Sequence, residues 1–200
     1  MIRLLLADDE QLIREALASL LALEHDLEVV AQAGDGEEAV ALAERHAPDL
    51  VVLDLEMPGI DGVEAARRIL ARRAVPVVLL TRHARPGVLR RALAAGIRAF
   101  VTKTTPADRL ARILRDVHAG GRYVDSEIAA TALTEGPCPL TDRELELLRH
   151  VREGRSASAI AAQVHLAPGT VRNYLSSAMQ KVGAPTRAEA VRLARERGWL

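Results

Sequence analysis

Cysteine, aromatic residues and long apolar runs are all scarce in this chain of 200 residues. The single cysteine, Cys138, allows no internal disulfide and offers too few thiolates for a zinc site. Aromatic residues make up only 2% of the chain, which argues against an aromatic cage or a base-stacking surface. Because neither an apolar run of about 18 residues nor a signal peptide is present, we expect a cytoplasmic protein without membrane insertion.

Charge is balanced over the whole chain but is unevenly distributed. The chain contains 27 basic and 27 acidic side chains. Residues 139–200 contain ten basic and six acidic side chains, a net charge of +4, which leaves −4 on the remainder. A basic C-terminal part favours nucleic acid as its partner.

Short apolar runs alternate with amphipathic stretches over residues 1–119. The runs predict five strands, at Ile2–Ala7, Glu28–Ala33, Leu50–Asp54, Pro76–Thr81 and Arg98–Val101. Helical spacing of apolar residues predicts helices at Gln11–Leu23, Gly36–Arg45, Gly62–Ala71, Gly87–Ala95 and Pro106–Ala119. This alternation predicts a (βα)5 domain with a parallel sheet, whose functional site lies at the carboxyl ends of the strands.

A second domain is predicted after a linker at residues 120–138, which is rich in glycine and proline and contains a short helical pattern at Ser126–Leu133. Thr141 and Glu144 have the spacing of a capping box and predict the start of a helix. Three further helices are predicted, at Ser156–Val164, Pro168–Val182 and Arg187–Arg197. Residues 139–200 are therefore expected to form an all-α domain.

Five polar side chains follow strand ends of the first domain and are expected to converge: Asp8, Asp9, Asp54, Thr81 and Lys103. Carboxylates with an open edge suit Mg²⁺, which also takes a phosphate oxygen. Phosphoryl transfer needs a nucleophile and positive charge on the phosphoryl oxygens, and Asp54 with Mg²⁺ and Lys103 would supply both. Lys103 is one of only two lysines among 27 basic residues. We therefore predict an acyl phosphate on Asp54.

The second domain contains a helix-turn-helix pattern. The apolar side chains that face one core are Ile160, Val164, Val171, Leu175 and Met179. On the second helix Arg172, Asn173 and Ser176 then face outward, where arginine pairs with guanine and asparagine with adenine. Side chains suited to the DNA backbone are Thr170, Lys181, Arg155, Ser156 and Arg187. The periodicity alone also fits a helical hairpin that docks on another protein.

Residues 1–119 resemble the receiver domain of response regulators. The resemblance rests on Ala7-Asp8-Asp9-Glu10, Asp54-Leu55-Glu56-Met57-Pro58-Gly59, Leu80-Thr81, Gly96 and Lys103. It implies an α/β flavodoxin-like (βα)5 fold and phosphorylation of Asp54 by a histidine kinase. It also implies that Mg²⁺ is bound by Asp8, Asp9, Asp54 and the Glu56 carbonyl. It also implies a switch in which the Thr81 hydroxyl moves toward the phosphate and the Phe100 ring follows.

Three positions depart from the usual receiver pattern, namely Glu56, Arg82 and His83. All three are expected to border the phosphosite and to tune the lifetime of the phosphoryl group. In this hypothesis Arg82 shields the phosphoryl group and Glu56 repels or orients the attacking water. The alternative is that these side chains point into solvent.

Residues 139–198 resemble the LuxR-type four-helix domain of the NarL/FixJ family. The resemblance rests on Leu140-Thr141-Asp142-Arg143-Glu144, Ile160-Ala161, Gly169-Thr170-Val171-Arg172-Asn173-Tyr174 and Lys181-Val182-Gly183. Ala167 and Tyr174 stand where the family has serine and histidine, so a group other than residue 167 is expected to cap the recognition helix. The resemblance implies promoter DNA as a partner. Three short segments, at 85–87, 169–174 and 197–199, resemble members of the family whose partner is a DesK-like sensor histidine kinase.

A single helix-turn-helix contacts few base pairs, so phosphorylation is expected to promote a homodimer that binds two half-sites. Ala188, Val191 and Ala194 of the last helix are candidates for the dimer contact. In the receiver the first and fifth helices, or the fourth and fifth, are alternative faces.

Two other classes of function are less well supported. A Mg²⁺-dependent phosphohydrolase with an aspartyl nucleophile commonly has a second aspartate two residues later and a cap domain, whereas this chain has Glu56 and no cap insertion. A regulator that ignores phosphorylation would have no use for the complete pocket. We therefore expect a transcription regulator and not an enzyme.

Overall fold

The structure, a computed structural model, describes residues 1–82, 86–126, 128–130 and 138–200. The chain divides into two units, one formed by Met1–Ala84 with Leu89–Ala132 and the other by Leu133–Leu200 with Arg85–Val88. Across the described ranges, we find no helix with the length and apolar character needed to cross a membrane.

The first unit is built on a parallel sheet whose strand order is β2-β1-β3-β4-β5-β6. The strands are β1 Ile2–Ala7, β2 Leu27–Ala33, β3 Leu50–Asp54, β4 Val77–Thr81, β5 Ala99–Thr102 and β6 Tyr123–Val124. Every residue of β3 and β4 is buried, because helices cover both faces of a parallel sheet. The carboxyl ends of the central strands therefore meet at one edge.

Five helices connect the strands: α1 Gln11–Leu21, α2 Gly36–His46, α3 Gly62–Arg72, α4 Pro86–Ala94 and α5 Ala107–His118. The side chains of Asp35 and Asp61 begin α2 and α3 by accepting hydrogen bonds from backbone N–H groups three residues later. The apolar face of α5 packs Leu110 and Leu114 against Leu6 and Val52 of the sheet. These contacts confirm the predicted doubly covered sheet.

The predicted elements agree with the structure within two residues at each end, and the sheet has one further strand, β6, that was not predicted. Tyr123–Val124 lies in the segment predicted as a linker and pairs in parallel with β5. The backbone N–H of Tyr123 donates to the Arg98 carbonyl at 3.1 Å. Two residues are too few to show the alternation from which strands are predicted. Of the helix predicted at Ser126–Leu133, residues 126 and 128–130 are helical, and 127 and 131–133 lie outside the described residues.

Among its described residues, the second unit contains four helices: α6 Asp142–Arg152, α7 Ala157–Gln163, α8 Pro168–Val182 and α9 Arg187–Glu196. The predicted capping box is confirmed, because the Thr141 side chain accepts from the Glu144 backbone and the Glu144 side chain accepts from the Thr141 backbone. Pro168 is confirmed in the first turn of α8. The core includes Leu147, Ile160 and Leu175, and Trp199 packs into it.

The expected dimer contact on α9 does not fit the structure. Val191 is only 8% exposed and Ala194 is fully buried, because both pack into the core of their own unit. Only Ala188 of the three candidates is exposed. The helical spacing of these apolar residues therefore reflects packing into the core of their own unit, and they do not form an exposed apolar face.

Candidate functional sites

The carboxyl edge of the sheet brings together the side chains of Asp8, Asp54 and Lys103. Asp8 follows β1, Asp54 ends β3, and Lys103 follows β5, where its backbone N–H donates to the Thr81 carbonyl at 2.8 Å. Asp8, Asp54 and Thr81 are 1–3% exposed, and the Lys103 side chain is 9% exposed. The predicted convergence at strand ends thus places a buried lysine among buried carboxylates.

The ammonium of Lys103 contacts three carboxylates. Its Nζ lies 2.8 Å from Asp8 Oδ2, 3.0 Å from Asp54 Oδ2 and 3.7 Å from Glu10 Oε1. Asp8 Oδ2 is buried, and it has no partner with hydrogen-bond geometry among the residues that the structure describes. Three carboxylates around one ammonium leave a net negative charge, which suits a divalent cation with oxygen ligands.

The protonation of Asp54 and Lys103 follows from their burial and mutual contact. Burial raises the pKa of Asp54 to about 6, although Lys103 acts in the opposite direction. Burial acts to lower the pKa of Lys103, but the carboxylates of Asp8 and Asp54 outweigh it and raise this pKa. At neutral pH Asp54 is therefore mainly a carboxylate, as a nucleophile must be.

Glu10 belongs to this site, although the candidate residues from the sequence did not include it. One carboxylate oxygen from each of Asp8, Asp9 and Glu10 lies within 4.8 Å of the others. Asp9 is exposed and Glu10 is half-buried. Three consecutive acidic residues after a buried strand were the signal available in the sequence.

The three predicted tuning positions have different environments. Arg82 is half exposed and forms an ion pair in which one guanidinium nitrogen contacts both carboxylate oxygens of Glu10. The side chain of Glu56 is exposed, whereas its backbone N–H donates a hydrogen bond to Asp54. His83 lies outside the described residues. Arg82 is therefore held at the rim of the acidic pocket through Glu10.

The loop between Asp54 and α3 is tightly packed and is tied to α4. A Cβ on Gly62 would lie 2.1 Å from the Asp54 carbonyl oxygen, so only glycine fits at the start of α3. The Arg91 guanidinium of α4 donates to Asp61 Oδ2 at 2.7 Å. Phe100 lines a small apolar gap together with Leu89 of α4 and its neighbours. Arg91 therefore ties α4 to the start of α3, and Leu89 places α4 beside Phe100.

The exposed face of α8 carries the predicted base-contacting side chains. Arg172, Asn173 and Ser176 are all exposed, as is Thr170, which was predicted to contact the DNA backbone. The opposite face is buried and comprises Val171, Leu175, Ala178 and Val182. The side chains of Arg172, Asn173 and Ser176 form no hydrogen bond or ion pair with another described residue, so they are available to a ligand.

The side chains expected at the DNA backbone are mostly engaged within the unit. Lys181 Nζ lies 2.8 Å from Glu144 Oε2. Ser156 caps α7 by accepting from the Ala159 backbone at 3.2 Å, and Arg155 lies 2.9 Å from Glu153. Arg187 begins α9 and is partly exposed.

The recognition helix has no side-chain cap. Ala167 is its N-cap residue, and no side chain accepts a hydrogen bond there. The expected replacement for the lost serine is therefore absent from the described residues. The preceding turn is held by Arg143, whose Nη2 donates to the Val164 carbonyl at 3.1 Å, and it contains His165 at a φ of 54°.

Glu144 joins the start of α6 to the C-terminal half of α8. Its carboxylate accepts from the Thr141 backbone at 2.8 Å, from Ser177 Oγ at 2.6 Å and from Lys181 Nζ at 2.8 Å. Burial acts to raise the pKa of Glu144, but the hydrogen bonds from Lys181 and Ser177 outweigh it and lower this pKa to about 2. The carboxylate is therefore charged and fully bonded.

We expect Glu144→Gln to destabilise the second unit in a pH-dependent way. Because the folded pKa is lower than the unfolded one, the carboxylate stabilises the unit above about pH 5 and loses this effect as pH falls toward about 2. Because the Lys181 side chain is a third exposed, solvent weakens its ion pair with Glu144. We therefore expect Glu144→Gln to lower the free energy of unfolding by only about 2 kcal/mol at neutral pH. The free energy of unfolding is measured by urea denaturation at several pH values, with the fluorescence of the single tryptophan, Trp199, as the signal.

The matched control for this prediction is Glu146→Gln. Glu146 is partly exposed and pairs with Arg143 on the same helix, so its loss should change stability by less than about 1 kcal/mol. A pH-independent effect of Glu144→Gln would contradict a role for the charged form.

Comparisons with known proteins agree with this architecture. Residues 4–115 match the family model "Response regulator receiver domain", and residues 138–194 match "Bacterial regulatory proteins, luxR family". The chain is 39% identical to the transcriptional regulatory protein DesR of Bacillus subtilis over 200 residues, which cover all of both proteins. It is 38% identical to the response regulator RamR of Streptomyces coelicolor over 201 residues, covering 100% of this chain and 98% of RamR.

A solved structure supports the same assignment. The response regulator ChrA of a heme-sensing two-component system aligns with a TM-score of 0.59 and 29% identity, covering 100% of this chain and 98% of ChrA. The chain covers essentially the full length of each of these relatives. It therefore belongs to the LuxR-type (NarL/FixJ) family of two-component response regulators, in which phosphorylation of a receiver domain controls a DNA-binding domain that regulates transcription.

Proposed function

We propose that a partner histidine kinase phosphorylates Asp54 and that the phosphorylated chain binds promoter DNA as a homodimer. The observation that carries this proposal is the buried Asp54 carboxylate, which lies 3.0 Å from the ammonium of Lys103. The carboxylate is the nucleophile, and the ammonium offsets charge on the phosphoryl oxygens. In this proposal residues 1–119 receive the phosphoryl group, residues 120–138 link the units, and residues 139–200 bind DNA.

The acidic pocket fits Mg²⁺ by the chemistry of its oxygen atoms. Asp8 is buried and its Oδ2 lies 2.8 Å from Lys103 Nζ, and Asp9 and Glu10 bring further carboxylate oxygens close to Asp8. Asp8, Asp9, Asp54 and the Glu56 carbonyl would hold the ion. When bound, Mg²⁺ supplies positive charge to the phosphoryl oxygens. Lys103 and Mg²⁺ would then share the neutralisation of the acidic pocket.

Thr81 and Phe100 are proposed to transmit phosphorylation to α4. The Thr81 hydroxyl is buried at the end of β4, one strand from Phe100 on β5. The buried Phe100 ring and Leu89 of α4 line the same small apolar gap, so a change in the position of the ring would alter the packing of α4. A hydroxyl that turns toward the phosphoryl group thereby permits a new arrangement of the α4 face.

The DNA-binding half supplies both base and backbone contacts. Arg172, Asn173 and Ser176 face the base edges, and Thr170 is placed for a phosphate. Further contacts with the DNA backbone are proposed for Lys181, Arg155, Ser156 and Arg187. A dimer would place two copies of α8 on half-sites about one helical turn apart.

The kinase partner is proposed to be DesK-like. The segments 85–87, 169–174 and 197–199 resemble DesR, and the two chains are 39% identical over 200 residues. Because a kinase and its regulator recognise each other through surface side chains, this similarity supports a related kinase.

Sedimentation velocity of the full chain tests the proposed dimer. With Mg²⁺ and a small-molecule phosphoryl donor, the wild-type chain should shift from monomer toward dimer. Asp54→Ala should remain monomeric under the same conditions. A dimer that forms equally in the variant would contradict coupling between Asp54 and assembly.

Arg82 is proposed to shield the phosphoryl group, and Arg82→Ala should shorten its lifetime. The guanidinium is held at the pocket rim by Glu10, where it hinders the approach of water. We expect dephosphorylation to accelerate at least about threefold, which corresponds to roughly 0.7 kcal/mol in the barrier. The decay of phosphorylated protein after donor removal measures the rate.

The control is Arg67→Ala, which removes a 62% exposed arginine from α3 and should leave the rate unchanged. An unchanged rate in Arg82→Ala would show that this side chain belongs to the solvated surface. His83 and Glu56 are proposed to influence the same rate. Glu56 lies two residues after Asp54 in the sequence, and its side chain is exposed.

A further inference from the structure

Helix α8 has a row of exposed residues on the side opposite its buried face. The buried residues Val171, Leu175, Ala178 and Val182 form one face of the helix. At 3.6 residues per turn, the positions directly opposite this face are 173, 176 and 180. Asn173, Ser176 and Gln180 are all exposed. Gln180 therefore continues the line of Asn173 and Ser176 into the C-terminal half of α8, beyond the base-contacting residues predicted from the sequence.

Asn173 and Gln180 present the same functional group. Each side chain ends in a carboxamide, which offers one acceptor and two donors. Neither carboxamide has a hydrogen-bond partner among the residues that the structure describes. Seven residues separate them, which corresponds to about 10.5 Å along the helix axis.

The C-terminal half of α8 is held rigidly around Gln180. Ser177 and Lys181 both bond to the buried carboxylate of Glu144, at 2.6 Å and 2.8 Å. These residues lie three positions before and one position after Gln180. The bonds fix the rotation of α8 about its axis, so the direction of Gln180 is set by the fold.

We propose that Gln180 extends base recognition beyond Asn173, and that the two carboxamides each recognise an adenine. Asparagine and glutamine bond to the N6 and N7 atoms of adenine in the major groove. A separation of about 10.5 Å corresponds to roughly three base pairs. Each half-site then carries two adenines about three base pairs apart. This inference rests on the proposed DNA binding by α8 and specifies its sequence preference.

Selection of binding sites from a random DNA library tests the inference on the phosphorylated full chain. The wild-type selection should yield half-sites with two adenine positions at this spacing. Gln180→Ala should reduce the adenine preference at one of them from about tenfold or more to near none, and leave the other intact. Gln180→Glu should change that preference from adenine to cytosine, because a carboxylate accepts from cytosine N4.

Gln163→Ala is the matched control, since Gln163 is an exposed glutamine at the end of α7 in the same unit. It should give the wild-type sequence profile. A profile that Gln180→Ala leaves unchanged would overturn the inference while DNA binding stands. A wild-type selection that enriches no sequence at all would overturn both this inference and the proposed DNA binding.

Discussion

Asp54→Ala is expected to abolish incorporation of a phosphoryl group into the full chain. The substitution removes the carboxylate that lies 3.0 Å from Lys103, and with it the nucleophile. Intact-mass spectrometry after incubation with Mg²⁺ and a phosphoryl donor should detect one added phosphoryl group in wild type. It should detect none in the variant. The change from near-complete modification to none is the largest effect that the receiver site predicts.

Two controls make this result specific. Asp108→Ala removes a 68% exposed aspartate on α5 and should be phosphorylated like wild type. Circular dichroism should confirm that Asp54→Ala is folded, since its side chain is buried. Phosphorylation of the variant at wild-type level would mean that another residue is the acceptor.

Arg172→Ala is expected to weaken DNA binding strongly. Arg172 is exposed at the N-terminal half of α8, and its side chain has no partner among the described residues. A bidentate contact with guanine contributes about 1–3 kcal/mol, and a dimer makes this contact twice. The loss should therefore be at least about thirtyfold in affinity. Fluorescence anisotropy with a DNA site selected by the wild-type chain measures the affinity.

The control for Arg172 is Arg192→Ala on α9. Arg192 is 54% exposed and bonds to Glu189 and Glu196, so its removal changes the net charge equally without touching α8. We expect less than about a threefold effect from this change in overall charge. Equal losses in the two variants would indicate that the domain attracts DNA only through its charge.

Most of the receiver site could be predicted from the sequence because strand order determines where side chains meet. The alternation of strands and helices required a parallel sheet, and a parallel sheet brings strand ends to one edge. Asp8, Asp54 and Lys103 could therefore be grouped although 95 positions separate the first from the last. The ion pair between Glu10 and Arg82 could not be predicted, because it depends on side-chain directions that no periodicity encodes.

The second unit shows what the sequence pattern alone does not determine. An apolar residue on a helix has the same spacing whether it faces its own core or a partner, so Val191 and Ala194 could not be assigned to the core in advance. Lys181 was expected to bind phosphate because it is basic and on α8. Its bond to Glu144 joins residues 37 positions apart, and only the packing of α6 on α8 brings them together.

The central claim is that phosphorylation of Asp54 controls DNA binding. Its most direct test is a titration of a selected DNA site with the full chain, with and without a phosphoryl donor and Mg²⁺. We predict that the donor tightens binding of wild type by at least about tenfold and leaves Asp54→Ala unchanged, because only wild type can shift its population toward the dimer. Equal affinity of wild type with and without the donor would contradict the claim, as would an equal response of the variant.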